Sequence, residues 1–155
     1  MKSVLISIQP KWCELIASGK KTVEVRKTKP KIETPFKVYI YCTNNGGSLH
    51  TGYGGLYYHK SNMGKNDTSC INGNVIGEFV CDYMTGLKAD NMIQAYYNNT
   101  KDTCLTDEDI KNYANGKKVY YWHISNLVIY DEPKDLSKYG LTRPPQSWCY
   151  VKGGE

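Results

Sequence analysis

Gly19-Lys20-Lys21-Thr22-Val23-Glu24-Val25-Arg26 is the stretch on which the reading of this chain turns. Ahead of it, Ser7-Ile8-Gln9-Pro10 leaves a strand. Pro10 suits the first helical position, because its missing N–H is unpaired there anyway. Trp12, Leu15 and Ile16 fall at i, i+3 and i+4, one apolar helical face. Gly19 supplies the left-handed residue that closes a helix. From Lys20 the pattern alternates. Val23 and Val25 point to one side of a strand, Thr22, Glu24 and Arg26 to the other, and Lys21 sits at the bend. Two readings stay open on spacing alone. One is a solvated strand face with a Glu24–Arg26 pair. The other is a cluster of both charge signs that meets a polar, anionic or hydrogen-bonding ligand.

The same alternation recurs downstream. Phe36, Val38, Ile40 and Cys42 alternate with Lys37, Tyr39, Tyr41 and Thr43, as in a barrel strand with one face in the core. Residues 44–73 break the pattern with Asn44-Asn45-Gly46-Gly47-Ser48 and Gly52-Tyr53-Gly54-Gly55, and read as a loop insertion over a barrel mouth. Val75 to Met84 returns to strand, with Glu78 alternating with Ile76 and Val80. A carboxylate placed on that apolar face needs a partner or its pKa rises. Leu87–Tyr97 fits a helix with Met92, Ile93 and Tyr96 inward, and Thr106-Asp107-Glu108-Asp109 has the form of a helix start. Lys118–Tyr130 reads as a long strand, ended by Pro133, with His123 among its aromatics. At the end, Arg143 before Pro144-Pro145 is a rigidly held cation suited to phosphate or carboxylate, and Ser147-Trp148-Cys149-Tyr150-Val151 reads as a last strand.

The chain has 155 residues, enough for one domain with a real core. No apolar run approaches the roughly 18 residues of a spanning helix, and Met1-Lys2-Ser3 leads straight into a strand, so a cytoplasmic protein without membrane partners is expected. The net charge of +5 favours anionic partners. Much of it lies where Lys20, Lys21, Arg26, Lys27, Lys29, Lys31 and Lys37 face only Glu24 and Glu33. Such a run serves an anionic ligand or guards a sheet edge. The six cysteines include no C-x-x-C, and the three histidines are not paired with them at ligand spacing, so reduced thiols, no metal and no cofactor are expected. Tyrosine is abundant, 14 residues against two phenylalanines, which suits barrel walls and base stacking alike.

Gly19-x-Lys21-x-x-Glu24-x-Arg26 resembles the G-x-K-x-x-E-x-R signature of the ASCH domain, in the PUA-like β-barrel superfamily. Leu5 to Pro10, Lys37 to Thr43, Gly73 to Phe79 and Arg143 to Val151 resemble further blocks of that family, in order along the chain. The resemblance implies an α+β fold, a PUA-like mixed β-barrel with flanking short helices over residues 1–155. It also implies a pocket for RNA, a nucleotide or a modified nucleoside. Lys21, Glu24, Arg26, Arg143, Ser147 and Tyr41 are the candidate ligand-binding residues. Some members resemble hydrolases of modified pyrimidine nucleosides that use the motif lysine with a threonine and a glutamate; others cut RNA. On that reading Lys21, Glu24 and Thr22 are catalytic, acting on a nucleoside amide or a phosphodiester bond without metal. In the nucleoside amidohydrolase branch a threonine stands where this chain has Glu24. A non-catalytic sponge for a nucleotide signal and a protein-interaction adaptor are further alternatives.

Overall fold

The computed structural model describes residues 2–88 and 99–152. Strand β1 (Lys2–Ile8) runs into helix α1 (Pro10–Ala17), followed by β2 (Val23–Arg26) and β3 (Phe36–Cys42). A hairpin of β4 (Ser48–Gly52) and β5 (Gly55–His59) precedes the long strand β6 (Val75–Lys88). Helices α2 (Asn99–Thr103) and α3 (Asp107–Ala114), strand β7 (Lys118–Lys134), a 3-10 turn (Leu136–Tyr139) and β8 (Trp148–Lys152) complete the chain.

Six strands form one mixed sheet in the order β2-β7-β6-β3-β1-β8, and β4 and β5 form their own two-stranded sheet. Among the described residues of this sheet only β1 and β3 run parallel, Val4 opposite Val38 through Ile8 opposite Cys42; the other paired neighbours are antiparallel. No β2–β8 ladder closes the sheet among the described residues. Side chains span that gap instead. Trp148 Nε1 donates to Thr28 Oγ1 at 2.9 Å, and the Lys31 N–H donates to the Tyr150 hydroxyl at 2.7 Å.

The sheet buries both faces. Val4, Ile6, Ile8, Val38, Ile40, Phe79 and Trp122 pack with Cys13 and Ile16 of α1 in the main core. On the reverse face Leu5, Tyr39, Tyr41, Val75, Tyr139 and Val151 form a second cluster. Val25, Val119 and Tyr121 meet Ile110 and Ala114 of α3 in a third. With apolar partners on both faces, β1 is buried along nearly its whole length and β3 buries its tyrosines as well as its aliphatic face.

Four expectations change. Residues 44–73 are not a plain loop: Ser48-Leu49-His50-Thr51 pairs antiparallel with Leu56-Tyr57-Tyr58-His59 across a two-residue Tyr53-Gly54 turn, and the hairpin packs on α1 with Leu49 fully buried. The glycines there build the turn rather than signalling absent structure. Leu87 and Lys88 belong to β6, while the rest of the expected 87–97 helix, with Met92, Ile93 and Tyr96, lies outside the described residues. Pro133 does not end β7, which continues to Lys134 beside Val75. Glu78 does not share a face with Ile76. Register shifts between Val75 and Gly77, and again between Glu78 and Val80, leave Ile76, Phe79 and Cys81 in the main core. Glu78 instead pairs with Lys37 at 2.9 Å and accepts from Tyr130 Oη at 2.7 Å. Burial acts against that carboxylate's charge, but Lys37 and Tyr130 outweigh it and hold its pKa below the usual value.

Candidate functional site

The site is assembled by the end of α1. Ser18 N–H bonds to Glu14 O, Gly19 N–H to Ile16 O, and Lys21 N–H to Leu15 O at 2.9 Å; Gly19 takes a left-handed φ of 81°. This wrap turns Lys21 inward, where it is only 1% exposed. Its ammonium donates to the Thr103 carbonyl at 2.5 Å, lies 3.6 Å from Glu24 Oε1 and sits 5.0 Å from the Trp12 ring centroid. The backbone of α2 contributes twice here, since the Thr22 N–H also donates to Asp102 O.

Glu24 joins the two cations. Oε1 accepts from the Val25 N–H at 2.8 Å, and Oε2 lies 3.2 Å from an Arg26 terminal nitrogen. The same nitrogen donates to the Ser7 carbonyl at 2.8 Å, and the other reaches Ser147 Oγ at 3.2 Å. Arg26 thus ties edge strand β2 to the end of β1 and the entry to β8. Ser7 reinforces the junction: its N–H bonds Ser147 O and its hydroxyl donates to Pro145 O at 2.7 Å.

Burial lowers the Lys21 pKa, and the neighbouring Glu24 opposes but does not reverse that effect. Burial alone would raise the Glu24 pKa; Arg26, Lys21 and the Val25 amide overcome it and hold the carboxyl below its usual value. The pair is therefore an ionised carboxylate beside a lysine whose proton is held less tightly than in water.

Lys21, Glu24, Arg26 and Ser147 line one cavity of about 490 Å³. Of the other candidates, Thr22 is half-buried beside them but does not line the cavity. Tyr41 is 3% exposed in the reverse-face cluster, and Arg143 is exposed away from the lining. His123 also lies elsewhere, 2.6 Å from Asp82 and stacked on Tyr83. The cavity recruits residues the sequence did not single out as site residues: Gln9, Trp12, Asn45, Asp109, Tyr113 and Gln146. For Trp12 a signal existed, since an indole in the first turn of α1, at its third residue, stands close to the strand end that leads into the site. The Thr103 carbonyl had none, because a backbone acceptor carries no residue type. All six cysteines are free thiols, and no three metal-ligating side chains cluster among the described residues. Nor is any helix there long and apolar enough to cross a membrane.

A mixed α+β chain with this strand order, short flanking helices and a polar pocket against one sheet edge has the PUA-like fold. The ASCH domain pattern matches residues 6–101, and the chain belongs to the ASCH domain family. Its structure is similar to that of the ASCH protein from Zymomonas mobilis, with TM-score 0.67 and 19% identity over 97% of this chain and 87% of that one. A Tyr-to-Phe variant of the same protein superposes with TM-score 0.69 at 19% identity, over 99% of this chain and 93% of that one. No curated protein sequence matches.

Proposed function

We propose that the Lys21–Glu24–Arg26 pocket recognises the base of a nucleoside, nucleotide or RNA residue. The observation that carries this reading is a buried carboxylate held between two cations beside the Trp12 ring. Within the lining, Lys21 and Arg26 are balanced by Glu24 and Asp109, so the cavity carries no net charge. A neutral hydrogen-bonding ligand suits it better than a bare phosphate. Gln9, Asn45 and Gln146 offer both donors and acceptors, as base edges do, and Trp12 and Tyr113 offer rings for stacking. The volume falls in the range of about 300–1,000 Å³ usual for small-ligand sites.

A second reading is favoured by one specific observation, the lowered proton affinity of Lys21. As a hydrolase, the neutral amine of Lys21 takes a proton from the attacking water, and Glu24 stabilises the ammonium that forms. Thr22 is the third candidate for that chemistry, on a nucleoside amide or a phosphodiester bond.

Calorimetric titration with nucleosides, nucleotides and short RNAs, followed by mass spectrometry of the mixture, separates the two. Binding without product supports a reader or a nucleotide sponge. Product that disappears in Lys21→Met while binding persists identifies the hydrolase, because a base acts in the transition state. Failure to bind any of the panel refutes both readings.

A further inference from the structure

A cavity of about 720 Å³ lies apart from the Lys21 pocket and shares no lining residue with it. Its floor is the open end of the main core. Met84 and Gly86 of β6 and Tyr120 of β7 share one face of the sheet, with Gly86 directly opposite Tyr120. Phe36 of β3 joins them, and behind Phe36 the fully buried Trp122 ring stands edge-on at a centroid distance of 5.9 Å. Ile32 adds to the apolar surface from the connection between β2 and β3. Gly86 leaves the room that this floor needs. A Cβ at that position would come within 2.7 Å of Tyr120 Cε1 and 2.8 Å of Lys118 Cε. Its absence lets the tyrosine ring and the lysine stem lie against the β6 backbone, and a glycine inside a strand often marks such close approach.

The rim is cationic. Lys29, Lys31 and Lys118 are exposed there against one acid, Glu33, and none of the three lysines forms an ion pair among the described residues. Lys29 Nζ and Lys118 Nζ stand 5.9 and 5.8 Å from the centroid of the Tyr120 ring, within the distance of about 6 Å at which a ring face attracts a cation. Lys29 and Lys31 sit on a connection rather than on a strand edge, so protection against strand pairing does not account for them. That connection is anchored: Trp148 bonds to Thr28, the Lys31 N–H bonds to the Tyr150 hydroxyl, and Pro30 is buried. The backbone that carries the two lysines is therefore held beside an apolar floor.

We infer that this cavity binds a planar aromatic carboxylate, its ring laid over Tyr120 against Phe36, Ile32 and Met84, and its carboxylate taken by Lys29 and Lys118. The site is separate from the Lys21 pocket, and the inference does not rest on that pocket's ligand. The volume falls in the range of about 300–1,000 Å³ usual for small-ligand sites, which are mostly apolar with a few polar groups that fix orientation. The same division holds here between floor and rim. A bare inorganic anion would leave the floor uncovered, and a neutral aromatic would use none of the three ammonium groups. A ligand with both halves uses both. Its ring stacks offset on Tyr120, and the flexible Met84 side chain adapts to its outline.

Isothermal titration calorimetry with naphthalene carboxylate and its neutral carboxamide tests the inference on wild type, Lys29→Gln/Lys118→Gln, Gly86→Ala and Trp12→Leu. Wild type should bind the carboxylate at least about tenfold more tightly than the amide, since the amide makes no charge-assisted hydrogen bond. Both lysines are exposed, so the double variant is expected to melt as wild type does. It should bind the carboxylate no better than the amide, with its affinity for the amide unchanged. Gly86→Ala drives a methyl into the Tyr120 ring and should weaken both ligands; should it melt well below wild type, the lysine pair carries the decision. Trp12→Leu alters the other cavity and should change neither affinity. Absence of binding, equal affinity for the two ligands in wild type, or a double variant that keeps the preference overturns the inference. Loss in Trp12→Leu with none in the lysine variant places the ligand in the Lys21 pocket and overturns it too. Displacement of the carboxylate by inorganic phosphate at equal concentration would show a site that reads charge alone, which also overturns it.

Discussion

Replacing Glu24 by Gln removes one charge from a site where every partner is fixed. Lys21 at 1% exposure keeps the Thr103 carbonyl but loses its counter-charge, and Arg26 keeps Ser7 and Ser147. Breaking one side of a buried pair costs about 3–5 kcal/mol, because a charge is left uncompensated. For a chain of this size each kcal/mol shifts Tm by about 2–4 °C, so Glu24→Gln should melt about 6–20 °C lower at pH 7. The pH dependence carries the sign. The folded-state pKa of Lys21 lies below its unfolded value of 10.5, so between the two the unfolded chain binds more protons and stability rises with pH. Losing Glu24 lowers the folded value further and widens that window, so the deficit should shrink as pH is raised from 7 toward 10. In wild type the Glu24 contribution has the opposite limit. Its carboxyl is held below the unfolded value of 4.5, so its stabilisation is present above that pH and lost as pH falls through the folded value. Urea denaturation of wild type, Glu24→Gln and Lys21→Met/Glu24→Gln at several pH values measures all of this. The double variant should recover at least about 1 kcal/mol of the loss, since contacting charges are coupled. A single variant within about 0.5 kcal/mol of wild type at pH 7, with a deficit that does not change with pH, would refute the reasoning.

Three further outcomes follow from packing. Leu49→Ala should cost about 2–5 kcal/mol by chemical denaturation, because Leu49 is fully buried where the hairpin meets α1; a loss under about 0.5 kcal/mol would mean that the 44–73 segment is a detachable appendage. Gly77→Ala places a methyl into the Val128 carbonyl across the β6–β7 ladder and should cost about 1–3 kcal/mol, with unchanged stability contradicting that register. Burial pushes the Cys81 thiol up to about 12, so a thiol reagent at pH 8 should modify Cys104, which is partly exposed, well before Cys81 in the native protein; equal rates would contradict the packing.

Much of this architecture was legible because short-range rules coincide with it. Pro10 and Gly19 bracket α1, and the alternation in Phe36–Cys42 is the core face of β3. Thr106 and Asp109 form a reciprocal capping box at the start of α3. The charge cluster was legible for the same reason: Lys21, Glu24 and Arg26 are close in sequence, so one helix end and one strand suffice to gather them. What escaped depends on distant parts of the chain. The main-chain acceptor for Lys21 comes from Thr103, 82 residues away. The inward set of β6 depends on bulges fixed by its pairing with β7, which no alternation in Val75–Met84 discloses. Tyr41 illustrates a different failure. Alternation put it opposite the core face correctly, but that opposite face is itself buried by Tyr139 and Val151, not open to a ligand.

The most direct test of the pocket is a crystal structure of the protein soaked with nucleosides and with a short RNA. The base is expected in the cavity of about 490 Å³, its ring against Trp12 and its edge within hydrogen-bond distance of Glu24, Gln9 or Gln146. Ligand bound reproducibly elsewhere, with Lys21, Glu24 and Arg26 untouched, would contradict the assignment.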